Sequence, residues 1–164
     1  MPKSLSIGIV SAGRVGSALG SALRAAGHVV VGAHAPSEES LDRLEAMLPG
    51  GPALDVEEVA RRAEVLLFAV PDDELGPLVE GLAKLGCFTA GQLVIHVAGR
   101  YGVGVLDPAA RAGALTLAIH PAMTFTGPSL DVARLVGCPF AVTAPATLLP
   151  IGQALVTEMG GTAT

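Results

Sequence analysis

Three closely spaced glycines mark the first place where this chain could do chemistry. The stretch Gly8-Ile9-Val10-Ser11-Ala12-Gly13-Arg14-Val15-Gly16 leaves a short apolar run and enters a helical pattern. In that context a common glycine spacing becomes a phosphate-binding turn. Gly13 would let the backbone approach a diphosphate. Gly16, with Gly20 one turn later, would let the helix pack close to a sheet. The helix start adds unpaired N–H groups and the positive end of its dipole. Ser11, Ala12, Gly13, Arg14, Val15 and Gly16 are therefore candidate contacts for a dinucleotide. Ser11 stands where the pattern usually has glycine, and a small residue can still make the turn. The competing reading is a turn that packs a helix on a sheet and binds nothing.

The next informative stretch is Gly32-Ala33-His34-Ala35-Pro36-Ser37. A turn of this kind that binds NAD usually has an acid about 20 residues on, to hold the ribose hydroxyls. Here no acid precedes Glu38. His34, Ser37 and Arg43 could instead accept a 2′-phosphate, so NADP is expected in preference to NAD. His34 could equally be a solvated loop histidine. Nucleotide-sugar and methyl-donor binding proteins commonly want the missing acid, so this stretch argues against them.

Two further histidines fall near apolar run ends. His96 precedes Val97-Ala98-Gly99-Arg100-Tyr101-Gly102, and His120 opens His120-Pro121-Ala122-Met123-Thr124-Phe125. Reduction of a carbonyl or imine needs a proton donor beside the hydride acceptor, and histidine suits that role near neutral pH. His96 and His120 are thus the catalytic candidates. Each could instead bond the backbone and fix its loop. Ala69, Val70 and Pro71 end another apolar run and would line the cofactor ribose. Asp72 is expected to cap a helix. Two histidines without further ligands make a poor metal site, so no metal is expected.

These residues need elements to carry them. Apolar, β-branched runs at 5–10, 29–33, 65–70, 92–97, 115–119 and 140–143 read as strands, with a very short one at 53–54. Helical spacing covers 14–26, with Val15, Leu19, Leu23 and Ala26 on one face and Gly27 ending it. Ser37 should cap 38–48, whose inner face is Leu41, Leu44 and Leu48. Asp55 and Glu58 resemble a capping box for 56–63. Residues 72–85 are mostly helical, with Pro77 distorting the first turn, and 151–159 are helical. Strands that are apolar throughout are covered on both faces. The alternation predicts an α/β fold: a doubly wound, mainly parallel sheet with helices on both faces.

Composition narrows the field. The chain has 164 residues, about one domain, with 51% hydrophobic and 15% charged residues. A net charge of −5 gives no basic patch for nucleic acid. No apolar run reaches the ~18 residues of a membrane span. The opening Met1-Pro2-Lys3-Ser4 has no leader pattern, and Cys87 and Cys138 have no metal or redox spacing. A reduced, cytoplasmic setting is expected. With 3% aromatics and no tryptophan, sugar- or base-stacking surfaces are not expected. The sequence stops at Gly160-Gly161-Thr162-Ala163-Thr164, where another strand would begin, which suggests a domain cut from a longer protein.

Taken together, Ser11 to Gly16, Ala69-Val70-Pro71-Asp72, His96 with Gly99, and His120-Pro121 through Phe125 resemble the Rossmann-like NADP-binding domain found with a helical DUF2520 domain. That family looks related to pyrroline-5-carboxylate reductases, 6-phosphogluconate dehydrogenases and ketopantoate reductases. The resemblance spans essentially the whole chain. It implies a following helical domain that completes the substrate cleft and usually the dimer. Ala98 departs from the hydroxyl residue that the family often has before its glycine. The expected function is an NADP-binding oxidoreductase domain moving hydride to a small keto or imino acid, ketopantoate-like substrates included. The only lysines, Lys3 and Lys84, are not obviously at the cleft, so this chain should bind cofactor yet turn over poorly. The alternative is a non-catalytic nucleotide-binding or interaction module.

Overall fold

A computed structural model describes residues 4–99 and 101–163, with the side chains of Pro128 and Ser129 left aside. Met1, Pro2, Lys3, Arg100 and Thr164 lie outside the described residues. The chain runs β1 (Ser6–Val10), α1 (Arg14–Ala25), β2 (Val29–His34), α2 (Glu38–Met47), α3 (Val56–Arg62), β3 (Val65–Phe68), α4 (Asp72–Lys84) and β4 (Leu93–His96). A 3-10 turn (Val103–Leu106) then leads into α5 (Asp107–Arg111), β5 (Leu115–Pro121), α6 (Pro128–Arg134), β6 (Pro139–Thr143), α7 (Leu149–Glu158) and β7 (Thr162–Ala163).

Seven strands form one sheet in the order β2-β1-β3-β4-β5-β6-β7. The pairings from β2 to β5 are parallel, β5–β6 is antiparallel and β6–β7 is parallel. From β1 the chain steps to β2 on one side and then to β3 on the other. The carboxyl ends of β1 and β3 therefore flank a topological switch point, where open α/β sheets bind ligands.

Side-chain alternation builds two cores, one on each face. Ile7, Ile9, Val65, Leu67, Ile95 and Leu117 point to one, with Leu19, Leu44 and Leu155 from the helices. Val10, Leu66, Phe68 and Val94 point to the other, against Val59, Leu75 and Val79. Burial on both faces is why these strands are apolar throughout. Gly8 lies against α3, where an added Cβ would come within 2.7 Å of the Ala63 Cβ. No helix among the described residues is long and apolar enough to cross a membrane.

Several local expectations need correction. The 53–54 strand is reduced to a single bridge between Ala33 and Ala53. The 65–70 strand stops at Phe68. Asp55 and Glu58 form no capping box: Asp55 makes no side-chain cap, and Glu58 pairs with Arg62 at 3.2 Å, one turn on. Asp72 makes no side-chain cap either; Pro71 occupies the cap position and Asp72 is the first helical residue. Leu41 is exposed, while Leu44 and Leu48 are buried. Pro77 sits inside a continuous α4. Ser37 does cap α2, and Gly27 ends α1 at φ +105°. The strand anticipated near the end is β7, two residues long.

The start of β4, which carries His96, depends on a buried amide. Gln92 Nε2 donates to the carbonyls of Ala60 (2.7 Å) and Ala63 (2.9 Å), and its Oε1 accepts from the Thr89 N–H. Those carbonyls lie at the C-terminal end of α3, where helical partners run out. Gln92→Leu should cost about 2–3 kcal/mol, the loss of hydrogen bonds together with stranded acceptors. Urea unfolding checks this; an unchanged midpoint would remove Gln92 from the scaffold.

Candidate functional site

The turn from β1 into α1 is built on close backbone approach. A Cβ at Gly16 would lie 2.3 Å from the Ser11 carbonyl oxygen, 3.0 Å from Ile9 and 3.2 Å from the Ala69 Cβ. Gly20 is similarly pressed on Ile9, at 2.3 Å. Gly16, which meets backbone, sets how near α1 sits to the sheet; Gly20 meets only the end of the flexible Ile9 side chain. Gly13 differs: a Cβ there would meet nothing nearer than the Ser11 Oγ, at 3.9 Å. The space in front of Gly13 is thus open, as approach by a ligand requires.

Ser11 has φ +75°, the only positive φ outside glycine among the described residues. Serine there accepts a left-handed conformation that costs about 1–2 kcal/mol for an L-residue. Ala12 is locked behind the turn: its N–H donates to the His34 carbonyl at 2.8 Å, and its carbonyl accepts from Ser17 Oγ at 3.2 Å.

The start of α1 is electropositive, a trait it shares with the equally uncapped, acid-free start of α7. Gly13 caps α1 without any side-chain bond, and the first turn holds no acid. By contrast α2, α3 and α4 open with Glu38 and Glu39, Glu57 and Glu58, and Asp72, Asp73 and Glu74. The positive end of the α1 dipole is therefore left uncompensated. Arg14 is exposed on its first turn, and Arg43 reaches across from α2 with a long 3.5 Å contact to the Ala12 carbonyl. Sequence spacing does not reveal the Arg43 contact, since 31 residues separate the pair.

The remaining candidates distribute as follows. Ala69 lies against the glycine turn, its N–H donating to the Val10 carbonyl at 2.8 Å. Val15 and Val70 are half-buried and Pro71 is exposed. His34 is half-buried and donates from Nδ1 to the Leu54 carbonyl at 3.3 Å. Ser37 Oγ accepts from the Ser40 N–H and donates to Ser40 Oγ, so its proton is already used in the α2 cap.

His96 and His120 come together at the carboxyl ends of β4 and β5. His96 is fully buried. Its Nδ1 accepts from the Ala98 N–H at 3.1 Å, and its Nε2–H donates to the Gly102 carbonyl at 2.8 Å. The ring is held neutral. Burial lowers its pKa below the ordinary 6.5, against opposing contributions from the Gly102 hydrogen bond and the Asp72 charge; His120 lowers it further. His120 is exposed, with Nδ1 donating to the Val97 carbonyl at 3.0 Å. The sheet spacing sets β5 about 14 Å from β1 across β3 and β4, so an extended ligand is needed to touch both the glycine turn and His120.

Sequence reading also missed Asp131. This buried carboxylate accepts from the N–H groups of Thr126 (2.8 Å) and Gly127 (3.0 Å), ordering the segment that follows His120-Pro121. Lys84 lies elsewhere, in a cleft of about 580 Å³ between α4 and α5 that includes Glu80, Asp107 and Arg111 and none of the predicted site residues. No cluster of three or more metal-binding side chains occurs among the described residues.

The chain belongs to the Rossmann-like domain family, which it matches over residues 1–121. Solved structures with the same fold include a candidate NADP oxidoreductase from Bacteroides fragilis, at 19% identity and TM-score 0.79 over 98% of this chain. Mycobacterium tuberculosis 3-hydroxyisobutyrate dehydrogenase, solved with L-serine, aligns at 20% identity and TM-score 0.74 over 99%. Plasmodium falciparum pyrroline carboxylate reductase, solved with NADP, aligns at 16% identity and TM-score 0.70 over 98%. The chain spans 61%, 54% and 57% of those three proteins. No curated protein matches the sequence.

Two predictions follow from this geometry. Ser11→Gly should raise stability by about 0.5–1 kcal/mol, the relieved φ strain less the added chain entropy. Gly16→Ala should lower it by at least ~2 kcal/mol, because the clash is with backbone. Equal urea midpoints for the two would contradict this account of the turn. His96 binds a proton less readily folded than unfolded. Its stabilising contribution is full above about pH 6.5 and is lost as pH falls through the folded value. Thermal unfolding between about pH 7 and 5 should show a decline that His96→Gln flattens; equal slopes would contradict it.

Proposed function

We propose that this chain is the nicotinamide-dinucleotide domain of an oxidoreductase, with the diphosphate held at the start of α1. The observation that carries the reading is the open space before Gly13 at an uncapped, acid-free helix start. Arg14 and Arg43 supply positive charge on either side. The adenosine end would extend toward His34 on β2. The nicotinamide end would pass Ala69, Val70 and Pro71 toward β4 and β5. When bound, the cofactor gives or takes the hydride. His120, exposed at the end of β5, is the side chain here that can exchange the accompanying proton with a small keto or imino acid, a ketopantoate-like compound among them.

NADP is favoured over NAD by the lack of an acid in 32–37 and by the nearness of Arg43. Ser37 would have to give up its bond to Ser40 to meet a phosphate, so Arg43 and His34 bear most of that preference. The remaining substrate contacts are proposed to come from a further helical domain, and the assembled protein to be a homodimer. The chain spans 54–61% of the three neighbours named above, which supports the further domain and does not bear on the homodimer. Buried free thiols at Cys87 and Cys138 suit a reducing, cytoplasmic setting.

A second reading keeps the nucleotide and drops the chemistry. It is favoured by the placement of Lys84 in the α4–α5 cleft, whose lining does not include His120.

Calorimetric titration with NADPH and NADH tests the first reading. Both should bind, NADPH more tightly. Gly13→Ala has room to fold but should abolish binding by filling the approach. Arg43→Ala should weaken NADPH about tenfold or more, the worth of a charge-assisted bond, and NADH far less. Absence of binding at millimolar cofactor would overturn the proposal. Equal losses for both cofactors in Arg43→Ala would overturn the NADP preference.

A further inference from the structure

His96 has no free ring nitrogen, yet it bonds the backbone at two points of one loop. It accepts from the Ala98 N–H and donates to the Gly102 carbonyl. The two loop groups that hold His120 sit at the first of those points: the Val97 carbonyl shares its peptide group with the Ala98 N–H, and Gly99 follows. The Val97 carbonyl takes the Nδ1 proton at 3.0 Å. Gly99 lies under the imidazole: a Cβ there would come within 2.7 Å of both Cε1 and Nε2, and 3.0 Å of Cδ2. A carbonyl can only accept, so this contact fixes the proton of the neutral ring on Nδ1. Nε2 is left with its lone pair on an exposed ring.

We propose that His96 and Gly99 are positioning residues that hold His120 as the Nδ1–H tautomer, so that Nε2 receives a proton from the hydroxyl or amine form of the substrate. The inference rests on the oxidoreductase reading above and assigns the atom that takes its proton. A lone pair at Nε2 pairs with an O–H or N–H donor and repels a carbonyl oxygen. In the oxidative direction the substrate C–H bond breaks, and its electron pair leaves as hydride to the oxidised nicotinamide. The O–H or N–H proton passes to Nε2, and the C=O or C=N bond forms. The resulting imidazolium keeps its Nδ1–H bond to Val97. The reverse reaction starts from that imidazolium. His96 touches no reactant; it acts through the loop.

The test reads the ring directly. Nitrogen-15 NMR of the 164-residue chain near pH 8 should show His120 with a protonated Nδ1 and an unprotonated Nε2. Gly99→Ala pushes the ring off its seat, and His96→Gln releases the loop. Each should lower the Nδ1–H to Nε2–H ratio of His120 about fivefold, the share that one hydrogen bond commands. Gly99 is exposed and outside both cores, so its variant carries the test if His96→Gln fails to fold. A wild-type His120 protonated on Nε2, or a ratio unchanged in the folded variants, overturns the proposal. Cofactor titration of the same samples separates the two layers: a wild-type chain with the expected tautomer and no cofactor binding fails the oxidoreductase reading alone.

Discussion

One backbone approach organises the functional end of this molecule: the α carbon of Gly16 against the carbonyl oxygen of Ser11. At that separation no side chain fits, and α1 can begin directly over the carboxyl end of β1. The helix start then lies at the switch point between β1 and β3, with Ala69 against it. The left-handed backbone at Ser11 is the cost of the same turn. Folding energy is thereby converted into a fixed set of N–H groups whose charge no capping side chain cancels.

A second device, at the ends of β4 and β5, uses buried polarity differently. His96 gives up both ring nitrogens to the backbone and becomes part of the scaffold. Its burial shifts its pKa down, and its two bonds keep it satisfied. His120 keeps one nitrogen free because its other one leans on the loop that His96 holds. At the amino-terminal ends of β1 and β2 a histidine serves for tethering alone: His28 accepts from the Leu5 N–H and donates to Glu158 of α7 at 3.0 Å. The same side chain thus serves as clamp, acceptor and tether according to which backbone groups surround it.

Much of the framework could be read from residue order. Runs such as Val65 to Phe68 are apolar on both faces because two cores cover them, and that pattern is visible without coordinates. The glycine turn was legible for the same reason, since Gly16 and Gly20 report close packing. Features set by a choice between competing partners, or by partners far along the chain, were not. Asp55 and Glu58 have capping-box spacing, but Glu58 has Arg62 one turn away and takes it instead. The antiparallel course of β6 was hidden because the connection after Pro121 is long enough for either direction. Arg43 near Ala12 and Gly99 beneath His120 depend on contacts that spacing along the chain does not encode, whereas Asp131 bonds the N–H groups of Thr126 and Gly127 only five and four residues back.

The central claim is that the amides opening α1 receive a diphosphate. Backbone amide shifts in a nitrogen-15 correlation spectrum, followed while NADPH is added, test it most directly. The account predicts the largest shifts at residues 12–16, with a second group at Ala69 and Val70. Shifts concentrated in the α4–α5 cleft, around Glu80, Lys84 and Arg111, with the glycine turn unmoved, would contradict it.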